Sequence, residues 1–288
     1  MKKISVVTLL LLLSVSFVLM IGSAHAALLV YEGFDYDPVG SDLPDVSSFV
    51  DDDPLDATVP VVAPGLSFGD LDVSGNSASL TGTQFWATRG TTPAASFEAG
   101  GTWYMSALVR YDTGGATWAA GEMVSASFGK SSFVEGINLG VMPDGNGDAY
   151  AYAGVGRSTG SMGRAESGIL DRNTTYLLVG KYESDSVTGT PDRANIYLNV
   201  YDIATGPPTS ESYAFSSLLD DYFWRVTTSD SSDLLRVVKA QTPGSTIIDE
   251  IRVADTWADV VPIPEPSTYA LVAVALVSGL APLRRRVR

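Results

Sequence analysis

What most restricts the fold of this chain is its punctuation. Short apolar or alternating runs recur, each bounded by Gly, Pro, Asp, Asn or Ser, and no long helical periodicity interrupts them. Such runs read as strands. The clearest are 27–34, 102–111, 122–128, 136–142, 149–155, 175–183, 194–201, 234–238 and 246–253. Trp103, Met105, Ala107 and Val109 occupy alternate positions, as do Ile196, Leu198 and Val200, so one face of each strand is expected to be buried. Pro143-Asp144-Gly145-Asn146-Gly147-Asp148 supplies a hairpin loop, and Val187-Thr188-Gly189-Thr190-Pro191 supplies another. Residues 37–78, rich in Asp, Pro, Ser and Gly, predict a long irregular excursion, and Ser216–Trp224 predicts a short helix. The expected fold class is all-β, a two-sheet antiparallel sandwich formed by a single domain over residues 27–260.

Composition adds exclusions. With 288 residues, 45% hydrophobic and 18% charged, the chain can bury a large core without covalent or metal staples. It has no cysteine, which removes disulfides, thiolate metal sites and cysteine nucleophiles. Its one histidine, His25, lies in residues 1–26, which read as a secretory signal peptide. Lys2 and Lys3 form the basic start, Ile4 to Ile21 the apolar stretch, and Ala24-His25-Ala26 the cleavage pattern before Ala27. An uncleaved anchor is the alternative.

Residues 261–288 form a second end that is not part of the sandwich. A proline-rich break containing Pro264, Glu265 and Pro266 precedes an apolar run, Tyr269 to Leu283, expected to form a short transmembrane helix. An unaided span takes about 20 apolar residues, so this one is short. Arg284, Arg285, Arg286 and Arg288 follow as a stop-transfer cluster expected on the cytoplasmic side. A permanent anchor is the bland reading. Taken in order, these features resemble the PEP-CTERM sorting signal of exported proteins of Gram-negative bacteria that make exopolysaccharide. The resemblance implies an exosortase as partner and an inner-membrane intermediate held by the C-terminal helix. Delivery to the cell surface or extracellular matrix would follow.

The chain carries 33 acidic and 18 basic residues, a net charge of −15. Loss of both ends would remove Lys2, Lys3, four arginines and Glu265, making the domain more acidic still and unsuited to nucleic acid. Only Lys130, Lys181 and Lys239 would remain as lysines.

Motifs for chemistry are weak. Gly65-Leu66-Ser67-Phe68-Gly69 and Gly156-Arg157-Ser158-Thr159-Gly160 fit the nucleophile-elbow pattern, but neither precedes a helix and no histidine is available as base. Ser127-Phe128-Gly129-Lys130 fits S-x-x-K on a strand without its partner motifs. Gly154-Val155-Gly156 lacks the helix on which a pyrophosphate would rest. The paired acidic spacing of jelly-roll glucanases is missing. Asp249 and Glu250, as strand neighbours, are expected on opposite faces, with Ile248, Glu250 and Arg252 on one and Asp249, Ile251 and Val253 on the other. A carboxylate pair drawn from distant strands stays open.

Calcium is the one cofactor the sequence suggests. Asp144, Asn146 and Asp148 open like an oxygen-rich metal loop, but Ala149 and Val155 stand where an EF-hand has Gly and Glu, and a hairpin turn explains the same residues. Asp51-Asp52-Asp53 reads as solvated loop or as a second site. Trp86 and Trp118 are the candidate glycan-stacking rings, whereas Trp103 and Trp257 are expected in the core.

A second resemblance rests on Tyr31-Glu32-Gly33-Phe34-Asp35-Tyr36, Tyr104-Met105-Ser106-Ala107-Leu108-Val109-Arg110, Leu177-Leu178-Val179-Gly180-Lys181 and the segment from Ile248 to Trp257. Together they resemble exported LamG-like, concanavalin A-like jelly-roll domains. That likeness implies a jelly roll and, loosely, carbohydrate recognition. The expected function is a non-enzymatic surface or matrix protein that binds cell-surface glycan or extracellular polysaccharide. The alternative is a polysaccharide-degrading glycosidase or lyase on the same fold. A groove with convergent carboxylates, or a Tyr/Arg/Lys cluster, would discriminate the two.

Overall fold

A computed structural model describes residues 28–51, 58–69, 71, 73, 75–82, 85–90, 101–112, 123–130, 136–144, 146–155, 163–184, 192–206, 208–222, 233–240 and 242–261. The signal peptide, the Pro-Glu-Pro segment, the apolar run and the arginine cluster lie outside these residues. Among the described residues no helix is long and apolar enough to cross a membrane.

The expected two-sheet antiparallel sandwich is what forms. The first sheet contains β1 (Val30–Glu32), β3 (Val61–Val62), β4 (Ser77–Gly82), β6 (Gly101–Asp112), β11 (Thr175–Ser184), β12 (Asp192–Asp202), β13 (Phe215–Tyr222) and β15 (Thr242–Ala254). Its order is β13-β12-β11-β6-β15-β4-β3, with β1 added on β15. The second contains β2 (Val50–Asp51), β5 (Phe85–Gly90), β7 (Met123–Lys130), β8 (Gly136–Pro143), β9 (Ala149–Val155), β10 (Gly163–Ile169) and β14 (Asp233–Ala240), in the order β10-β9-β8-β7-β14-β5-β2. Two four-residue helices, α1 (Leu43–Val46) and α2 (Trp257–Val260), complete the described elements, α2 packing on β15 and β6. Among the described residues of 37–78, only α1 and strands interrupt the irregular path, as its composition predicts.

Alternation decides what is inside. Met105, Ala107 and Val109 of β6, Leu178 of β11 and Ile196 and Leu198 of β12 face Val124, Ala126 and Phe128 of β7 and Ile137, Leu139 and Val141 of β8 in one main core. Trp103, expected in the core, packs against its margin and is only partly buried. Buried tyrosines need partners for their hydroxyls. Tyr182 donates across the core to the Asn138 carbonyl at 2.6 Å, and Tyr111 donates to the Leu170 carbonyl at 2.5 Å.

The outer face of the first sheet carries a second apolar layer. Leu66, Phe68 and Leu71 from the loop before β4, with Val260 and Val261, cover Leu108, Leu177 and Val179. Trp257 joins this layer rather than the main core.

Two expectations are corrected. Ser216–Trp224 was expected to be helical, but its described part lies in β13, paired with β12 from Phe215↔Leu198 to Leu219↔Ala194. Its helix signal was short, and an unpaired edge of β12 outweighs a weak local preference. The regular alternation expected for 248–253 also fails. A register shift falls between Asp249 and Arg252, and Glu250 has φ 50°. One extra residue is absorbed there, so Ile248, Ile251 and Val253 all face the core, and Asp249 and Glu250 are both buried.

Candidate functional site

Three adjacent strands build a polar row on the outer face of the first sheet. Lys181 of β11 sits directly opposite Tyr104 of β6 on one side and Tyr197 of β12 on the other. Glu183, two residues along β11, shares the face of Lys181. The segment between β12 and β13 folds back over this row and contributes Glu211 and Tyr213.

The side chains converge on the lysine. Its Nζ lies 2.9 Å from Glu183 Oε1 and 3.0 Å from Glu211 Oε1. It also stands over three tyrosine rings, at 5.9 Å from Tyr104, 5.5 Å from Tyr197 and 5.8 Å from Tyr213. Tyr197 donates its hydroxyl to Glu183 Oε2 at 3.1 Å, and Tyr104 donates to Glu211 at 3.4 Å. The rings of Tyr197 and Tyr213 pack 5.5 Å apart in a tilted pair. The lysine side chain is 18% exposed, Glu183 33% and Glu211 36%, so solvent reaches both carboxylates.

Electrostatics assigns protonation states. Burial opposes the charge on Lys181, yet the hydrogen bonds it donates to Glu183 and Glu211 outweigh it and carry the ammonium above the ordinary lysine range. The phenols shift up as well. Burial acts first on Tyr104, Tyr197 and Tyr213, and the neighbouring glutamates add to it. A protonated lysine and neutral phenols are therefore unsuited to take a proton near neutral pH.

Both carboxylates touch one ammonium, so their nearest oxygens lie within about 6 Å, compatible with the roughly 5–5.5 Å between carboxyl groups of retaining glycosidases. This is the distant-strand pair that no local spacing could announce. The one available signal was scarcity: Lys181 is among three lysines of the expected mature chain and interrupts an apolar strand.

The residues singled out from sequence lie elsewhere. Asp144 organises the β8–β9 turn: its Oδ1 accepts the Asn146 N–H at 2.7 Å and the Asp148 N–H at 3.1 Å, and its Oδ2 accepts Asn146 Nδ2 at 3.2 Å. The Asn146 N–H is the main cause of a lowered Asp144 pKa. Asp148 pairs with Arg172 at 3.3 Å. Among the described residues no group of three or more Asp, Glu, His or Cys side chains could hold a metal ion. Trp86 lies on β5 with only its backbone described, and Trp118 lies outside the described residues, as do Asp52 and Asp53.

No protein-family model and no curated protein matches the chain. Solved structures of similar fold include the globular domain of T. cruzi calreticulin (10% identity, 90% of this chain and 100% of that one, TM-score 0.49). They include an endo-1,3-β-glucanase from Streptomyces sioyaensis (15%, 80% and 96%, 0.45). An endo-β-1,4-glucuronan lyase from the fungus Trichoderma reesei is a third (12%, 82% and 99%, 0.44). No residue role is carried over from them. The expectation of a non-enzymatic protein is corrected here: the outer face holds a convergent Lys–Tyr–Glu cluster, with two carboxylates on one ammonium.

Proposed function

We propose that this chain is an exported, concanavalin A-like jelly-roll enzyme that hydrolyses a neutral polysaccharide at the Glu183–Glu211 pair. The observation that carries this reading is the contact of both carboxylates with the single Lys181 ammonium on a solvent-reached face. Glu183, held by Lys181 and Tyr197, is the nucleophile. Its oxygen bonds to the anomeric carbon as the glycosidic C–O bond breaks, and the departing oxygen takes a proton that the Lys181 ammonium holds against Glu211. Glu211 then takes a proton from water and returns it to Lys181, as the water oxygen displaces Glu183 from the anomeric carbon and restores all three groups.

A neutral glycan fits better than a polyuronate. The chain is strongly acidic, and Lys181, the cation described at the site, is already shared by two carboxylates. Export through residues 1–26 and exosortase-mediated sorting at Pro264-Glu265-Pro266 complete the proposal. So do outlying sugar contacts at Trp86 and Trp118 and weak calcium binding at Asp144, Asn146 and Asp148.

The test is a panel of neutral glucans and xylans beside alginate and glucuronan. New reducing ends from a neutral glycan are expected, with Glu183→Gln and Glu211→Gln each slower by about 10²–10⁴-fold. Unsaturated products from a polyuronate, or no cleavage of any glycan, would sink the reading.

A further inference from the structure

Glu211 belongs to no strand or helix, so something else must hold it against Lys181. Three consecutive residues dock on β11 and β12. Glu211 reaches Lys181, Ser212 meets Asn199 and Tyr201, and Tyr213 packs on Tyr197. Residues 197, 199 and 201 alternate along β12, so all three anchors stand on one face.

Asn199 is the polar centre of this dock. Its Nδ2 donates to the Ser212 carbonyl at 3.0 Å, to Ser212 Oγ at 3.3 Å and to Tyr201 Oη at 2.8 Å. Its Oδ1 accepts the Val200 N–H at 3.0 Å, which orients the amide so that its donors face the segment. A carboxylate in the same place would present oxygen to the Ser212 carbonyl and lose the contact.

We infer that Asn199 is a positioning residue for the reaction: by holding the backbone at Ser212 it fixes Glu211 on Lys181 and so assembles the carboxylate pair. This rests on the hydrolase reading for its catalytic meaning, but the assembly can be read without catalysis.

The experiment compares the full chain with Asn199→Asp and Glu211→Gln in two assays. The first is labelling of Lys181 by an amine-reactive ester, followed by peptide mass spectrometry and normalised to Lys130 and Lys239. Lys181 should label severalfold faster in both variants, because each removes one of its two carboxylate partners. The second is turnover of the neutral glycan identified above, where Asn199→Asp should lower kcat by about a hundredfold, as for a catalytic group displaced by an ångström, with KM little changed. Unchanged labelling in Asn199→Asp would overturn the inference, as would faster labelling with unaltered kcat. Faster labelling in a protein whose wild type cleaves nothing would support the assembly while removing the hydrolase reading.

Discussion

Asp249 shows how much one buried side chain can govern. It is fully buried, and its oxygens accept the Leu66 N–H at 2.7 Å and the Glu250 N–H at 2.8 Å, tying the outer loop to β15. Burial pushes its carboxyl up to about 8, against the pull of those two N–H groups, and nearby Glu250 and Glu32 add to the rise. A raised acid stabilises the fold fully below its unfolded pKa, near 3.8, and that contribution is lost as pH climbs through the folded value. Between pH 5 and pH 8, wild type should therefore lose stability relative to Asp249→Asn, by up to about 1.4 kcal/mol per pH unit. Urea unfolding of both proteins at the two pH values checks this, and parallel pH dependence would refute it. None of this could be read from sequence, because strand alternation placed Asp249 and Glu250 on opposite faces. The bulge buries both. Glu250 then accepts from Tyr31 at 3.0 Å and pairs with Arg252 at 2.9 Å, whose guanidinium stacks 4.9 Å from the Tyr31 ring.

At the scale of elements, strand spacing leaves little freedom where glycine lies under a neighbour. A Cβ on Gly140 of β8 would stand 2.0 Å from the Val124 carbonyl oxygen and 2.7 Å from Ser125 Cα, both backbone atoms of β7 that no side-chain rotation can move. Gly140→Ala should cost about 1–3 kcal/mol through overpacking and splaying of β7 from β8. Gly168→Ala, where a Cβ meets nothing within 4 Å, should stay within about 0.5 kcal/mol of wild type. Thermal melts of the two variants side by side decide it, and equal losses would show that β8 tolerates the intrusion. The long strands were legible because their alternation is strong and their turns carry Gly, Asp and Asn. The two-residue β2 and β3 were not, since pairing with β5 and β4 defines them rather than any local pattern. β13 was misread because it is strand only by virtue of the edge it completes.

The whole molecule is held shut by more than its apolar core. Glu32 on β1 belongs to the first sheet and Arg89 on β5 to the second, and they meet at 2.5 Å. Glu32 is 3% exposed and also accepts the Phe34 N–H at 2.7 Å and the Tyr36 hydroxyl at 3.1 Å. Burial raises its pKa, and Arg89 is the main opposing pull. Removing the arginine alone strands a buried charge, so Arg89→Met should cost about 3–5 kcal/mol. Adding Glu32→Gln, which keeps an acceptor for Phe34 without the charge, should recover part of that loss. Denaturant curves for the single and double variants give the answer, and a double variant weaker than Arg89→Met would contradict it.

By itself the sequence determined the class of fold and most of its long strands, because alternation, turn residues and apolar content are local properties that each segment carries alone. It determined the acidic balance and the absence of thiol chemistry for the same reason. Only the tertiary structure decided where chemistry can occur. Tyr104, Lys181, Tyr197 and Glu211 come from three strands and a returning segment, and no spacing along the chain encodes their meeting. Strand order and register set that distance, and register is fixed by pairing between segments far apart in sequence.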